Sequence, residues 1–386
     1  MKTTKTLLAV SLGLALSQVA VAENAFVETV KKGDLLADFR LRYETNDTDD
    51  ATDSATALTL RSRVGYETPS MAGFKVLAEL EDVRAIVDEY RIEDADYDVV
   101  ADPENTEINR FQVSYSKDNF GAVVGRQRII LDNARFIGNV GWRQNEQTYD
   151  AALFTYKMDD VALAYAYIDQ VNDILFNSTD LSAHALNAAY TGLAAGKLVA
   201  YAYLADMDDT DFTLNTYGAS FTGKTAAGDT TVTYRAELAT QNQDAGGVEH
   251  DALYYALEAG VVVSGVTLAL GNETLGSDDG EFGFNTPFAT KHAFNGWADK
   301  FLGTPADGLS DTYLKVAGNV AGVKLVGFYH DFSADEGSAD KGSEIDFLAA
   351  KKIDDNFSIG LKYAGYSAGD NESDTDKVWV WGQAKF

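Results

Sequence analysis

The sequence contains no cysteine, only four prolines and only four histidines in 386 residues. With no thiol present, stability cannot come from disulfides. The histidines (His184, His250, His292, His330) are scattered, and no HExxH, GxSxG or P-loop pattern accompanies them. His250–Asp251 and His330–Asp331 are adjacent pairs, but neighbours on a strand face opposite ways, so neither pair converges on one substrate. An enzyme, a metal centre and a bound cofactor are therefore not expected. No apolar run approaches 18 residues, which excludes a transmembrane helix. Cations are scarce as well: 31 Lys and Arg face 60 Asp and Glu, a formal charge of −29. A polyanion such as nucleic acid would be repelled. In the second half arginine is nearly absent, Arg235 standing alone after eleven that precede residue 144.

What is present begins with a leader. Lys2 and Lys5 precede an apolar run over residues 7–16, and residues 20–22 read AVA. This layout predicts a secretory signal peptide over residues 1–22, leaving 23–386 as the mature chain. Twenty Tyr, twenty Phe and 33 Gly then suggest many strands and turns.

Side chains along a strand point alternately to opposite faces, and several segments separate cleanly on that basis. Leu35, Ala37, Phe39, Leu41 and Tyr43 alternate with Asp38, Arg40 and Arg42. Leu58, Leu60, Val64 and Tyr66 alternate with Thr59, Arg61 and Arg63, and Phe74, Val76, Ala78 and Leu80 with Lys75, Glu79 and Glu81. Phe357, Ile359, Leu361 and Tyr363 oppose Ser358, Gly360 and Lys362. Aromatics fall at the ends of the apolar faces, as in interfacial girdles. Connections alternate in length too: short near 67–72, 117–119, 157–160, 192–195, 319–322 and 354–356. They are long near 45–55, 84–106, 129–146, 169–182, 240–249, 272–310, 332–343 and 367–376.

The pattern predicts an all-β fold: a transmembrane antiparallel up-and-down β-barrel of about 18 strands, 16 being the other even count that fits. Short periplasmic turns and long outer loops follow, which places the chain in the outer membrane of a Gram-negative bacterium. The final run VWVWGQAKF ends on Phe386 and resembles the signal that such barrels present to their assembly machinery.

A barrel of this size leaves an aqueous lumen. Its lining is expected to include Arg40, Arg42, Arg61, Arg63 and Arg110, with Glu79 and Glu81 as local counter-charges. Arg126 and Arg128 are added from a strand whose alternation is less clear. The first five strands are consecutive neighbours, so these guanidinium groups predict one basic wall that guides anionic or hydroxylated solutes. Acids concentrate in outer loops such as ETNDTDD (44–50) and EDADYD (93–98), where solvent and lipopolysaccharide are the expected neighbours. None has the ligand order of an EF-hand.

Three segments together resemble the alginate-export family of porins: ATALTLRSRVGYETPSMAGFKVLAELEDV (55–83), GRQRIILDNARFIGNVGWRQNEQTYD (125–150) and TPFATKHAFNGWADKFLGTPADGLSDTYL (286–314). The resemblance implies an eighteen-stranded barrel with an arginine-lined pore narrowed by loops. Arg61, Arg63, Arg126, Arg128 and Arg143 occupy the matching basic positions. The expected function is a passive outer-membrane channel for anionic or polyhydroxy solutes such as oligosaccharides, the alternative being a dedicated exporter of an acidic polysaccharide. Partners are then solutes and membrane lipid.

The longest connection, 272–310, contains HAFNGWADKFLGTP (292–305). Its spacing predicts a short helix over 293–302, with Phe294, Trp297 and Phe301 on one face. His292, Asn295, Trp297, Asp299 and Lys300 are the constriction candidates, Asn295, Asp299 and Lys300 being those expected to face the pore. The pattern leaves open whether this loop enters the lumen or closes over the mouth.

Overall fold

The computed structural model describes residues 31–50, 52–92, 96–208, 210–370 and 372–386, and the predicted signal peptide lies outside them. The strands run in order: β1 (Asp34–Thr48), β2 (Ala55–Glu67), β3 (Phe74–Glu89), β4 (Asn105–Lys117), β5 (Phe120–Gln127), β6 (Thr148–Met158) and β7 (Val161–Asn172). They continue with β8 (Ser178–Leu193), β9 (Gly196–Met207), β10 (Phe212–Ala227), β11 (Thr230–Ala245), β12 (Val248–Val263) and β13 (Val266–Leu275). After the small hairpin β14 (Ser277–Asp278) and β15 (Phe282–Gly283) come β16 (Leu309–Val320), β17 (Val323–Ser333), β18 (Asp340–Lys352), β19 (Phe357–Ser367) and β20 (Thr375–Lys385).

All but the hairpin form one eighteen-stranded sheet in which each strand pairs antiparallel with the next, β13 passing directly to β16. The sheet closes where β20 pairs with β1, from Asp38↔Lys385 to Thr48↔Thr375. No helix occurs among the described residues. Closure leaves no unpaired edge, as hydrocarbon surroundings require.

Alternation sorts the faces. Leu35, Leu41, Leu80, Leu257 and Leu270 point outward, the last two 59% and 60% exposed. Such a band belongs against lipid, not water. At the short-turn end the outward aromatics form a chain across neighbouring strands. Phe74–Tyr115, Tyr115–Phe120, Phe120–Phe154 and Phe154–Tyr165 ring centroids are 4.5, 6.3, 6.4 and 6.3 Å apart. Phe386 packs edge-on against Phe357 at the same end.

The turns follow from local chemistry. Ser264–Gly265 and Ala321–Gly322 both have positive φ at each position, the type I′ geometry that suits a two-residue hairpin. At the opposite end only three connections are long, 90–104, 128–147 and 276–308. Those expected to be long near 45–55, 169–182, 332–343 and 367–376 close in five to seven residues because the flanking strands run on, and the one predicted at 240–249 is only the turn Gly246–Gly247. There β11 and β12 run on as paired strands to Ala245↔Val248. Polar residues such as Asn242 and Asp244 read as loop by composition, yet the ladder with β12 holds them extended.

The buried core lies inside the barrel. Ile129, Phe136 and Ile137 from residues 128–147, and Phe282, Phe284 and Trp297 from residues 276–308, cluster with wall residues including Tyr201, Tyr254, Phe332 and Trp379. The loop between β13 and β16 therefore enters the lumen, and so does the one between β5 and β6. The predicted helix over 293–302 does not form. Asn295, Gly296 and Asp299 have φ of 55°, 84° and 61°, values outside the helical region. At Gly296 a Cβ would collide with the Glu344 carboxylate.

Leu257→Arg, in the middle of the outward band, should destabilise the barrel in lipid vesicles by about 2–4 kcal/mol. Glu249→Arg at the long-loop end of the same strand should stay within about 0.5 kcal/mol. Urea unfolding followed by loss of heat-modifiable migration measures both.

Candidate functional site

The first inward loop, residues 128–147, is fastened to the wall by charge. Arg143 donates to Glu44 on β1 at 2.8 Å and pairs with Asp299 at 3.2 Å. Arg42 pairs with Asp102 and donates to the Trp142 carbonyl at 2.6 Å. Arg40 donates to Gln144 Oε1 at 2.8 Å and to the Arg143 carbonyl. The Gln144 amide reaches across to Thr59 Oγ1 at 2.8 Å. Further along, Glu146 accepts from Arg128 and from Asn109 at 2.7 Å, and pairs with Arg63 at 3.4 Å. Arg63 also pairs with Glu81, Arg61 with Asp38 at 2.6 Å, and Arg110 with Glu79 at 2.8 Å.

Seven guanidinium groups (Arg40, Arg42, Arg61, Arg63, Arg110, Arg128, Arg143) thus share space with seven carboxylates (Asp38, Glu44, Glu79, Glu81, Asp102, Glu146, Asp299). Burial works against the charge on Glu146, but Arg63 and Arg128 outweigh it and hold the carboxyl at about 2. Burial likewise opposes the charge on Arg143, and Glu44, Asp102 and Asp299 overcome it to raise its pKa.

The second inward loop, residues 276–308, docks on the other side. Asn295 donates to Glu273 at 2.9 Å, and Arg135 bridges the two loops by donating to Glu273 at 2.9 Å and to Asn295 Oδ1 at 3.0 Å. The Ala298 N–H donates to Glu344 at 2.7 Å, and Lys300 to the Ser373 carbonyl at 3.2 Å. Backbone bonds join loop to loop: Gly138 N–H to the Phe288 carbonyl at 2.8 Å and Thr290 N–H to the Ala134 carbonyl at 3.0 Å.

The loops also meet at an aromatic contact. The His292 ring stacks on Trp142 with centroids 4.7 Å apart and planes at 5°. Lys362, from β19, inserts its ammonium 4.0 Å from the Trp142 ring and 3.9 Å from the Trp297 ring. It lies 2.8 Å from His292 Nε2. An ammonium only donates, so Nε2 accepts, and Nδ1–H donates to Asp299 at 2.7 Å. His292 is therefore neutral: burial drives its pKa down to about 3 and Lys362 adds to that, against the pull of Asp299.

Beneath this contact is an open cavity of about 730 Å³ lined by the two loops and by β13 and β16–β19. Trp142, His292 and Trp297 form its loop side, and Lys315, Lys324, Phe328 and Lys362 its wall. Lys315 and Lys324 make no ion pair among the described residues.

A family model described as alginate export matches residues 33–269. The chain belongs to the alginate export family. No curated protein sequence matches it. Among solved structures it is similar to OpdK of Pseudomonas aeruginosa, with 12% identity, TM-score 0.73, and coverage of 92% of this chain and 99% of that one. OccK9 (OpdG) of the same organism gives 13%, 0.72, 93% and 100%. OccAB4 of Acinetobacter baumannii gives 10%, 0.70, 91% and 97%. At these identities the likeness is one of fold.

Within this alginate-export barrel the arginines are placed differently from the basic wall expected of them. Arg40, Arg42, Arg61 and Arg63 do point inward, but the first loop covers them, Arg42 and Arg61 being 1% and 2% exposed. Glu79 and Glu81 are buried beside them. Arg110 and Arg128 are the more accessible members. Arg126 faces the wrong way: it lies on the same face as outward Val124, sits opposite outward Phe111 and pairs with Asp150 at 2.8 Å. The inward face of β5, with Gly121, Val123 and Gly125, has little polarity to mark its parity.

The loop candidates are also rearranged. Asn295, Asp299 and Lys300, expected to face the pore, anchor the loop, whereas His292 and Trp297 line the cavity. Without a helix, Phe294, Trp297 and Phe301 diverge to Arg135, Phe328 and Phe332. Lys315, Lys324 and Lys362 carry no compositional signal like that of the clustered arginines, which is why the sequence does not single them out. Alternation alone would have placed Lys362 inward beside Leu361 and Tyr363.

The pH dependence of the two anchors should differ. A neutral His292 stabilises its seat above its ordinary pKa of 6.5, and that contribution is lost as pH falls toward about 3. An ionised Glu146 stabilises its own seat above 4.5, losing that contribution as pH falls toward about 2. Hydrogen-exchange protection at 290–298 should therefore fall between pH 7 and 5 while that at 144–147 holds. His292→Asn should remove the first transition, and Glu146→Gln should lower protection of 144–147 already at pH 7, since Arg63 and Arg128 lose a buried partner.

Proposed function

We propose that this chain is a porin: a passive, water-filled channel of the Gram-negative outer membrane for small anionic and polyhydroxy solutes, and not an enzyme. The barrel supports the membrane location, since its outward band requires lipid and its inside carries the polar and charged groups. The short turns are then periplasmic, and the two inward loops set the size limit. The observation that carries the reading is the cavity under the loops, where Lys315, Lys324 and Lys362 share a wall with Trp142, Trp297 and Phe328. Ammonium groups without a carboxylate partner attract an anion, and aromatic faces accept the apolar face of a ring. The arginines contribute less to selectivity than their number suggests, because carboxylates neutralise most of them where they sit.

Export of an acidic polysaccharide is the second reading, favoured by the family description. A continuous track of unpaired cations would suit a polyanion, and the paired arginines under the first loop do not provide one.

Planar-bilayer recordings of the refolded protein in a KCl gradient should give a reversal potential on the chloride-selective side. Lys315→Glu with Lys324→Glu should move the permeability ratio toward potassium by about threefold or more, and Arg61→Ala with Arg63→Ala should change it far less. A non-conducting or strongly cation-selective wild type would overturn the anion reading. Current block by an oligouronate at low concentration, without block by a monosaccharide acid, would favour the export reading instead.

A further inference from the structure

All four tryptophans of the chain gather at one place. Trp142 and Trp297 sandwich the Lys362 ammonium, Trp379 lies 5.9 Å from it, and Trp381 packs edge-on against Trp142 at 5.4 Å. The chemistry here is unbalanced. Lys362 has three N–H donors, and the hydrogen bond it makes goes to a neutral imidazole nitrogen. Among the described residues no carboxylate oxygen lies within 4 Å of it; Asp346, whose two oxygens also make no hydrogen bond there, and Asp299 act on it only through space. Asp299 is already occupied by His292 and Arg143. The indole N–H groups of Trp142 and Trp379 are buried with no partner among the described residues. Unused buried donors are uncommon in folded proteins. Lys362 and Trp142 border the 730 Å³ cavity, and Trp379, fully buried, lies next to both.

We propose that Lys362, Trp142 and Trp379 form a carboxylate-binding site at the junction of the two loops, and that a bound carboxylate replaces His292 as the acceptor of Lys362 and loosens the loops. A hydrogen bond from ammonium to carboxylate is shorter and stronger than one to a neutral nitrogen. Exchange therefore favours the anion once it reaches the site. Lys362 then ceases to tie His292 of the second loop to the Trp142 stack of the first, so the solute itself weakens the contact that narrows its path. The consequence for permeation rests on the channel reading; the existence of the site does not.

Because no tryptophan lies elsewhere, tryptophan emission, excited beyond the absorption of the twenty tyrosines, reports this site alone. The test titrates the refolded full chain with sodium glucuronate at constant ionic strength, balanced with chloride, and uses glucose as the uncharged control. A saturable change in emission is expected with glucuronate and none with glucose. Lys362→Met should weaken the response at least tenfold, and Lys362→Arg should retain most of it. Trp379→Phe keeps the ring but loses the N–H, and should weaken binding even if Lys362→Met fails to fold. In single-channel recordings glucuronate should increase opening fluctuations of the wild type but not of Lys362→Met. No saturable emission change in the wild type, or an equal change in Lys362→Met, overturns the site. A saturable change without altered fluctuations overturns the loosening. Absence of any conductance counts against the channel reading, while the fluorescence titration still decides the site.

Discussion

Arg143 reaches Glu44 and Asp299 from a segment that would otherwise extend beyond the barrel, and Arg42 holds the next carbonyl along while pairing with Asp102. These buried ion pairs are the constraint on which the interior depends. Desolvating so many charges is costly, and the arrangement persists because each guanidinium meets at least one carboxylate or carbonyl, although the Nε groups of Arg42 and Arg61 stay unpartnered among the described residues. Breaking one pair leaves a charge buried without compensation, so the layer behaves as a unit. The first loop is held against β1–β4 by this layer, and the second loop is then held against the first by Arg135, by two backbone bonds and by the stack of His292 on Trp142.

The exterior is ruled by a different constraint. Lipid offers no hydrogen bonds, so every outward backbone group must be satisfied within the sheet, and closure of β20 on β1 achieves this. The two constraints meet in the alternation of each strand. Phe39 and Leu41 face out while Arg40 and Arg42 face in, and a shift of one residue would exchange them. The charged lumen therefore fixes strand register from within as firmly as the apolar band does from without.

Much of this was legible in the sequence. Alternating faces and aromatic ends identify the barrel and narrow its strand number to eighteen or sixteen, because those features are local and periodic, and the connections expected to be long include the two that turn inward. Interior contacts are not local. Arg143 and Glu44 are about a hundred residues apart, and nothing in either neighbourhood predicts their meeting. Arginine parity could be read on β1 and β2 but not on β5, where Gly121, Val123 and Gly125 leave the inward face with little polarity to mark it and Arg126 turns outward. The i, i+3, i+7 spacing of Phe294, Trp297 and Phe301 suggests a helix, yet the neighbouring Asn295 and Gly296 adopt positive φ and each ring finds a separate partner, Arg135 of the first loop for Phe294 and wall residues for the other two. Lys362 was visible as an inward position on β19. Its importance comes from three rings and an imidazole supplied by two distant loops and a neighbouring strand.

The central claim is that both loops fold into the lumen and touch there. The chain has no cysteine, so a single introduced pair reports without background. A Cβ placed on Gly138 would lie 3.0 Å from Thr290 Cβ, one residue in each loop, and 2.7 Å from Ala134 Cβ. The pair is therefore built on an Ala134→Gly background, which the positive φ of 63° at that position accepts. Gly138→Cys with Thr290→Cys, refolded and then oxidised, should form an intramolecular disulfide in the folded barrel, seen as protection of both thiols from alkylation and as a linked peptide in mass spectrometry. Two free, alkylatable thiols in the folded, oxidised barrel would contradict the account.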